Sequence, residues 1–506
     1  MANRPLTGTL DTFGEWFLPE DTSRRIAGAL RYTSSGTELH LNEAFSPMRG
    51  AIGPGDSLKT YPVVFGTTRE GEAMTILYAH RAGMSLNFGS GGVSQPERLV
   101  SSSLLVGGHI PADFAYPEMR FRIPGLQIWL SQKVIHQTHS REESSGAYVQ
   151  TYSINGMQQD TMVIPPLGGK LEWHHQFELK ADLFSLVDVK VSGWVTIRPD
   201  EPKQLDWFLE QIGKLTTMLG FISGSLMSPD YIKAGIGHAH LYMDVLITFV
   251  NHKFCTYTNV HEFFMLKSTM GAELADVAAR WFEVYPKIHM PSELAISVFA
   301  SEKLWLHIEF LSLMQALEGF HRALYEGLYM DEQGYASVKK ALGDAIPTEL
   351  SPDHKDALKS RIRYGNQVSL RKRLTTLCDL LPQEIRRAIL GGDGKIPGNW
   401  IDTRNYYTHW DEELRENVLG TQEMYDTNVR MRVLLRVLYL NLMAIPHESI
   451  SKALTNHSND SQHVAQLNAR AMRGEVREAT GTVVMVTEER SADATIPGVD
   501  EDARRL

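Results

Sequence analysis

Cysteine is nearly missing from this chain. Cys255 and Cys378, the two present among 506 residues, are too few for a disulfide framework or a cysteine-based zinc site. Long apolar runs are missing as well: no stretch reaches 18 uninterrupted apolar residues, the length a membrane-spanning helix requires. The opening segment, MANRPLTGTLDTFGEW, lacks the apolar core of a secretory signal. Positive charge is in deficit, with a formal net charge of −10. That balance argues against a protein that coats nucleic acid or membranes indiscriminately, while leaving room for a local basic patch. Together these absences set the expectation of a cytoplasmic protein with no membrane contact.

What is present is ordinary globular material. Hydrophobic residues make up 43% and charged residues 22% of a chain long enough for two to four domains, each with its own core. The patterning changes near residue 205. Before it, short alternating segments are broken by Gly and Pro clusters. RRIAGALRYT and TELHLNE, separated by Ser34, Ser35 and Gly36, form a hairpin pattern. AMTILYA, RLVSSSLLVGG, LQIWLSQKVIH, AYVQTYSI and VDVKVSGWVTI continue the series, and a β-sandwich or related β domain is expected. His174 and His175 resemble a metal pair, but neighbours in a strand point to opposite faces and cannot easily chelate one ion. No metal or other cofactor is expected.

From Leu205 the apolar period becomes helical. DWFLEQIGKLTTMLGFISG is one amphipathic helix ending at Gly, and HEFFMLKSTMGAELADVAARWFEVYP is one or two more, stopped by Pro286. In SEKLWLHIEFLSLMQALEGFHRALYEGLY, residues Leu306, Phe310, Leu313, Leu317, Phe320, Leu324 and Leu328 form a core-facing stripe. Ser351 and Pro352 open another helix as cap and first residue, and TQEMYDTNVRMRVLLRVLYLNLMAI is the last strong one. The expected class is α+β: a β-rich, sandwich-like domain at 1–204, a helical connector at 205–295, an all-α bundle at 296–450 and a flexible tail at 451–506. A short strand is expected in the tail at TGTVVMV.

Within the helical part, IDTRNYYTHWDEEL places Arg404, Asn405 and His409 close together after the Gly/Pro loop GGDGKIPGNW, with Asp402 or Thr403 as the expected helix cap. On a helix, Asn405 and His409 share a face, and Arg404 reaches the same point through its long side chain. Imidazole, carboxamide and guanidinium suit phosphodiester chemistry: proton transfer near neutral pH, and stabilisation of charge at phosphorus. The bland alternative pairs Arg404 with Asp402, Asp411 or Glu412 and packs His409 on Trp410. A stretch from Ala357 to Cys378 holds Lys359, Arg361, Arg363, Arg371, Lys372 and Arg373 without an acid. It is either a phosphate-binding surface or a solvated helix face. Glu318 and Arg322, four apart, form an intrahelical ion pair on the flank of the stripe.

WIDTRNYYTHWDEE, with LSLMQALEGFHRAL upstream, resembles the ApeA-type HEPN family, and GTLDTFGEWFLPEDTSRRIAGAL, FGTTREGEAMTIL and LDWFLEQIGKLTTMLGFISG resemble its N-terminal domain. The resemblance spans roughly residues 8–445. It implies a HEPN helical bundle and metal-independent RNA cleavage. Arg404 and His409 would be its motif residues, Asn405 the polar residue after the arginine, and Glu318 a supporting residue from a neighbouring helix. It also implies a homodimer with a composite cleft, and a role in anti-phage defence by abortive infection; the β module is a candidate sensing module. Two imidazoles would then divide the base and acid roles, and Trp400, Tyr406, Tyr407 and Trp410 are candidate anchors of the interface. The rival reading is a HEPN module that binds RNA or protein without cutting, with the β module recognising a phage component.

Overall fold

The structure is a computed structural model. It describes residues 4–472 apart from 47–58, 86, 90–91, 132, 142–145, 155–159, 183–185, 225, 238–240, 249–258 and 302. Cys255 and the TGTVVMV segment lie outside the described residues.

The β-rich part begins with β1 (Leu10–Leu18), β2 (Asp21–Thr33), β3 (Gly36–Leu41), β4 (Thr60–Thr68) and β5 (Ala73–Met84). A short hairpin, β6 (Asn87–Gly89) and β7 (Gly92–Ser94), precedes β8 (Glu97–Ser101) and β9 (Ser103–Val106). The hairpin read from the sequence is there, with Thr33 opposite Gly36 across Ser34 and Ser35. The expected β-rich domain is there too, built as a barrel with an open sheet rather than as a sandwich. Antiparallel pairings run β4-β1-β2-β3-β8, and β5 joins β4 to β8, so six strands close into a barrel. Trp16 fills it, and its partner in register is Gly66, where a Cβ would stand 2.2 Å from the indole. Across the closing seam, buried Arg81 donates from Nε to Glu97 at 2.6 Å, and Tyr61 donates its hydroxyl to the same oxygen at 3.0 Å.

At Ser102 the strand divides, and β9 departs into an open extension of the sheet. The extension contains β10 (Met119–Arg122), β13 (Asp160–Ile164), β14 (Gly169–Asp182), β15 (Leu186–Pro199), β16 (Tyr231–Gly235) and β17 (Tyr242–Ile247), in the order β9-β17-β16-β10-β15-β14-β13. A separate ribbon joins β11 (Ile135–Arg141) and β12 (Tyr148–Ile154). LQIWL is not a strand: after Gly125, in the left-handed region at φ 81°, the chain makes one helical turn, α1 (Leu126–Trp129), that buries Leu126 and Trp129. A boundary at 204 also cuts the β module, because β16 and β17 return to the sheet after α2 (Leu205–Ser223). Both strands are only five or six residues long, too short to interrupt a helical pattern visibly.

The helical part comprises α3 (Leu274–Ala300), α4 (Leu306–Leu324), α5 (Glu332–Asp344), α6 (Pro352–Tyr364), α7 (Leu370–Asp379), α8 (Gln383–Leu390), α9 (Gly398–His409), α10 (Thr421–Leu442), α11 (His447–Leu454) and α12 (Asn459–Met472). Pro286 does not stop α3, which continues through Pro291 as well. Each proline in a helix interior costs about 3 kcal/mol. Against that, the helix buries Trp281, Phe282, Tyr285, Ile288, Ala295 and Val298, and a large apolar side chain contributes about 1.5–3 kcal/mol on burial. Pro291 fits because α4 presents Gly319, where a Cβ would meet the ring at 3.3 Å. The stripe on α4 is buried from Phe310 to Phe320, but Leu328 lies past the helix end and is exposed. Ser351 caps α6 as expected, accepting a hydrogen bond from the His354 amide.

The start of the expected tail is largely helical rather than irregular, in the end of α11 and in α12, with Val464 and Leu467 of α12 buried. α2 links the two parts. Phe221 stacks on Tyr439 of α10 with centroids 3.8 Å apart, and Trp281 of α3 donates to the Lys214 carbonyl at 2.8 Å. Among the described residues no helix is long and apolar enough to cross a membrane.

Candidate active site

Helix α9 carries the motif, and its start is earlier than the expected cap at Asp402 or Thr403. The loop turns through Gly391, Gly392 and Gly394, all at positive φ, and Pro397 stands at the cap of a helix opening at Gly398. Trp400, Ile401 and Thr403 are buried, and Thr403 Oγ1 accepts the Leu419 amide at 3.0 Å, tying α9 to the turn before α10. IDTRNYYTH is therefore the end of a helix, not its beginning. His409 is its last residue, exposed, and Trp410 caps it.

Arg404 leans toward α4. Its Nη2 lies 3.5 Å from Glu318 Oε2, and its Nη1 donates to Asn405 Oδ1 at 3.2 Å. Neither Asp402, Asp411 nor Glu412 is its partner; Glu412 pairs with Arg415. The other oxygen of Glu318 accepts from Arg322 at 2.9 Å, and Arg322 reaches Gln367 at 3.2 Å. The expected intrahelical pair exists, and the same carboxylate also steadies the motif arginine. One carboxylate facing two guanidiniums leaves this cluster net positive. The Arg404 side chain remains 29% exposed, so its fork can meet a phosphate.

The segment LEGFHR on α4 acquires a job at almost every position. Leu317 and Phe320 are core residues, and Gly319 admits Pro291. His321 is 2% exposed, and burial, with Arg373 beside it, holds its pKa below the ordinary histidine range. As a neutral ring it can accept at Nδ1 from Arg373 Nη1 at 3.2 Å. This removes Arg373 from the expected basic surface: it is 1% exposed and lies beneath Gly327, where a Cβ would be 2.3 Å from Nη1.

The rest of the basic run is split. Lys359, Arg361 and Arg363 are exposed on α6, and Lys359 pairs with Asp356 at 3.6 Å. α5 and α6 bury no residue and pack chiefly on each other. Arg371 and Lys372 are exposed on α7, with the Arg371 guanidinium 3.2 Å from a Cβ built at Gly398. That position is about 9 Å of helix from Arg404, at 1.5 Å per residue. Replacing Arg371 and Lys372 together is therefore expected to weaken RNA binding and reduce the log–log salt slope by about 1.4, or about 0.7 per lost contact. An unchanged slope in a salt titration of binding would mean that neither touches the strand.

Sequence reasoning missed Trp305 and His307 at the start of α4. His307 stacks on Tyr407 at 5.7 Å and 16°, and Trp305 lies 6.3 Å from His307. The available signal was a Trp and a His beside the first turn of a helix whose apolar stripe leaves them unused. Of the four aromatic residues near the motif, Trp400 is buried inside the bundle and cannot anchor a contact with another subunit.

His174 and His175 face opposite sides of β14, and both are desolvated. His175 is buried, with neither ring nitrogen hydrogen-bonded among the described residues. Burial first, then Arg120, pushes His174 down to about 4. An unfolded histidine titrates near 6.5, so unfolding takes up a proton between those values and stability falls as pH drops from about 6.5 toward 4. The expected loss at pH 5 from His174 is on the order of 1–2 kcal/mol, and His174→Gln should remove that share while leaving the part due to His175, whose pKa burial lowers in the same direction. Denaturant melts at pH 7 and pH 5 test this; equal pH sensitivity in the variant would contradict it.

Two family models match the chain. One, described as ApeA N-terminal domain 1, covers residues 12–237, and the other, described as Apea-like HEPN, covers 311–449. No curated protein and no solved structure matches.

Proposed function

Because the chain belongs to the ApeA-type HEPN family, an ApeA N-terminal domain joined to an Apea-like HEPN domain, we propose that it is a metal-independent endoribonuclease of anti-phage defence, acting by abortive infection. The observation that carries this reading is the setting of Arg404. Its guanidinium is half-buried between Glu318 and Asn405, on a helix that ends in an exposed His409.

In the reaction, the 2′-oxygen of a ribose attacks the adjacent phosphorus as its proton passes to an imidazole. The bond to the 5′-oxygen breaks, and that oxygen takes a proton from an imidazolium. The products are a 2′,3′-cyclic phosphate and a 5′-hydroxyl. Arg404 binds the non-bridging oxygens through its fork and offsets the charge that builds there. Asn405 and Glu318 fix the plane of that fork. RNA is the substrate, and the β module senses a phage-derived trigger.

One imidazole cannot be base and acid at once. Two copies of α9 facing across a two-fold axis bring two copies of His409 and Arg404 to one phosphate, so the active species is a homodimer, open to further pairing. Mixing His409→Ala with Arg404→Ala subunits tests this. Partial activity above either parent is expected in the mixture, because a heterodimer keeps one His409 and one Arg404 in the cleft, with water taking the missing half of the proton transfer, whereas each parent lacks one of the two groups altogether. Heterodimers that form and stay as inactive as the parents would contradict a shared cleft.

A further inference from the structure

Trp410 stands in an uncommon place. It caps α9 in the left-handed region, φ 54° and ψ 40°, with its amide bonded to the Tyr406 carbonyl at 2.6 Å. Glycine or asparagine normally holds this position, because a Cβ is strained there. Burial does not compensate for the strain, since the indole is 69% exposed. It is also the far end of a row of rings. Tyr406 lies 6.0 Å from Trp410 and Tyr407 6.3 Å, Tyr407 stacks on His307, and His307 adjoins Trp305, itself 54% exposed. Tyr406 and Tyr407 sit on the helix that holds Arg404, Trp410 follows His409 directly, and His307 and Trp305 belong to the start of α4.

We propose that Trp410 is a stacking platform for an unpaired nucleobase of the strand whose phosphate Arg404 grips. The inference rests on the nuclease reading for that phosphate. A nucleobase is the fitting occupant because bases and phosphates alternate along a strand, and the two-guanidinium, one-carboxylate cluster, whose Arg404 lies about 9 Å of helix from Trp410, complements a phosphate. Exposed aromatic faces next to cations are how single strands are held without sequence readout. The platform sets the substrate class as single-stranded or looped RNA, since a paired base has no free face to offer.

The test uses the full chain and a non-cleavable 2′-O-methyl oligonucleotide, so that binding is measured apart from cleavage. Trp410→Gly relieves the backbone strain, and its melting temperature should equal or exceed that of the wild type. Its affinity for the strand should nevertheless fall about 5- to 100-fold, the range of one lost base stack. Trp410→Phe should keep most of the affinity. On an abasic version of the strand, wild type and Trp410→Gly should bind alike. Unchanged affinity in Trp410→Gly, equal loss on the abasic strand, or no binding by the wild type would each overturn the platform. So would a loss of binding that only tracks dissociation of the protein in sedimentation, which would assign the rings to a second copy of the chain. If cleavage survives His409→Ala while Trp410→Gly still loses the strand, the platform stands and the catalytic assignment falls.

Discussion

Replacing His409 with alanine is expected to lower the rate of RNA cleavage by about 10²–10⁴-fold, the usual worth of a positioned acid–base group. His409 is exposed at the end of α9 and outside the buried set that holds the helix, Trp400, Ile401 and Thr403. The variant should therefore fold, dimerise and melt as the wild type does. Affinity for a non-cleavable strand should barely change, so the loss should fall on kcat and not on KM. Single-turnover rates and the melting curve together check this. A variant that keeps wild-type turnover removes His409 from the reaction.

Arg404→Ala is expected to cost about 10²–10³-fold, as for removal of one donor to a developing oxyanion. Its removal also leaves Glu318 with Arg322 alone, a pair on the exposed flank of α4. Arg404→Lys keeps the charge but loses the planar fork that meets Glu318, Asn405 and two phosphate oxygens at once. It should recover less than a tenth of the lost rate. Glu318→Gln separates positioning from charge: it keeps a hydrogen-bond acceptor for Arg404 and should cost far less than Arg404→Ala. Rate constants for the three variants at saturating RNA decide the matter, and a fully active Arg404→Lys would show that a point charge suffices.

The motif was legible because it is local. Arg404, Asn405 and His409 fall within six residues, and helical geometry alone relates them. Spacing shows Glu318 only as the partner of Arg322, and its supporting role comes from the family resemblance alone, because its contact with Arg404 spans 86 residues and depends on how α4 and α9 cross. The same limit hid the barrel, whose closure is one pairing between β5 and β8, and whose sandwich alternative uses the same alternating segments. Arg373 shows a different limit: a run of cations says nothing about which member points inward, and here the one beneath Gly327 is buried. Pro286 misled because a local breaker was weighed without the packing of Trp281, Tyr285 and Ile288 around it. Trp305 and His307 carried no pattern of their own, and they gain meaning only when α9 lays Tyr407 against them.

If α9 cuts RNA through its own side chains, the chemistry of the cut ends will show it. Purified protein would be incubated with RNA in excess EDTA, and the ends of the fragments would be mapped. Wild-type cleavage should be undiminished and that of His409→Ala about 10²–10⁴-fold slower, with 2′,3′-cyclic phosphate at one end and a 5′-hydroxyl at the other. Cleavage that EDTA abolishes, or fragments with 5′-phosphate and 3′-hydroxyl ends, would contradict this mechanism.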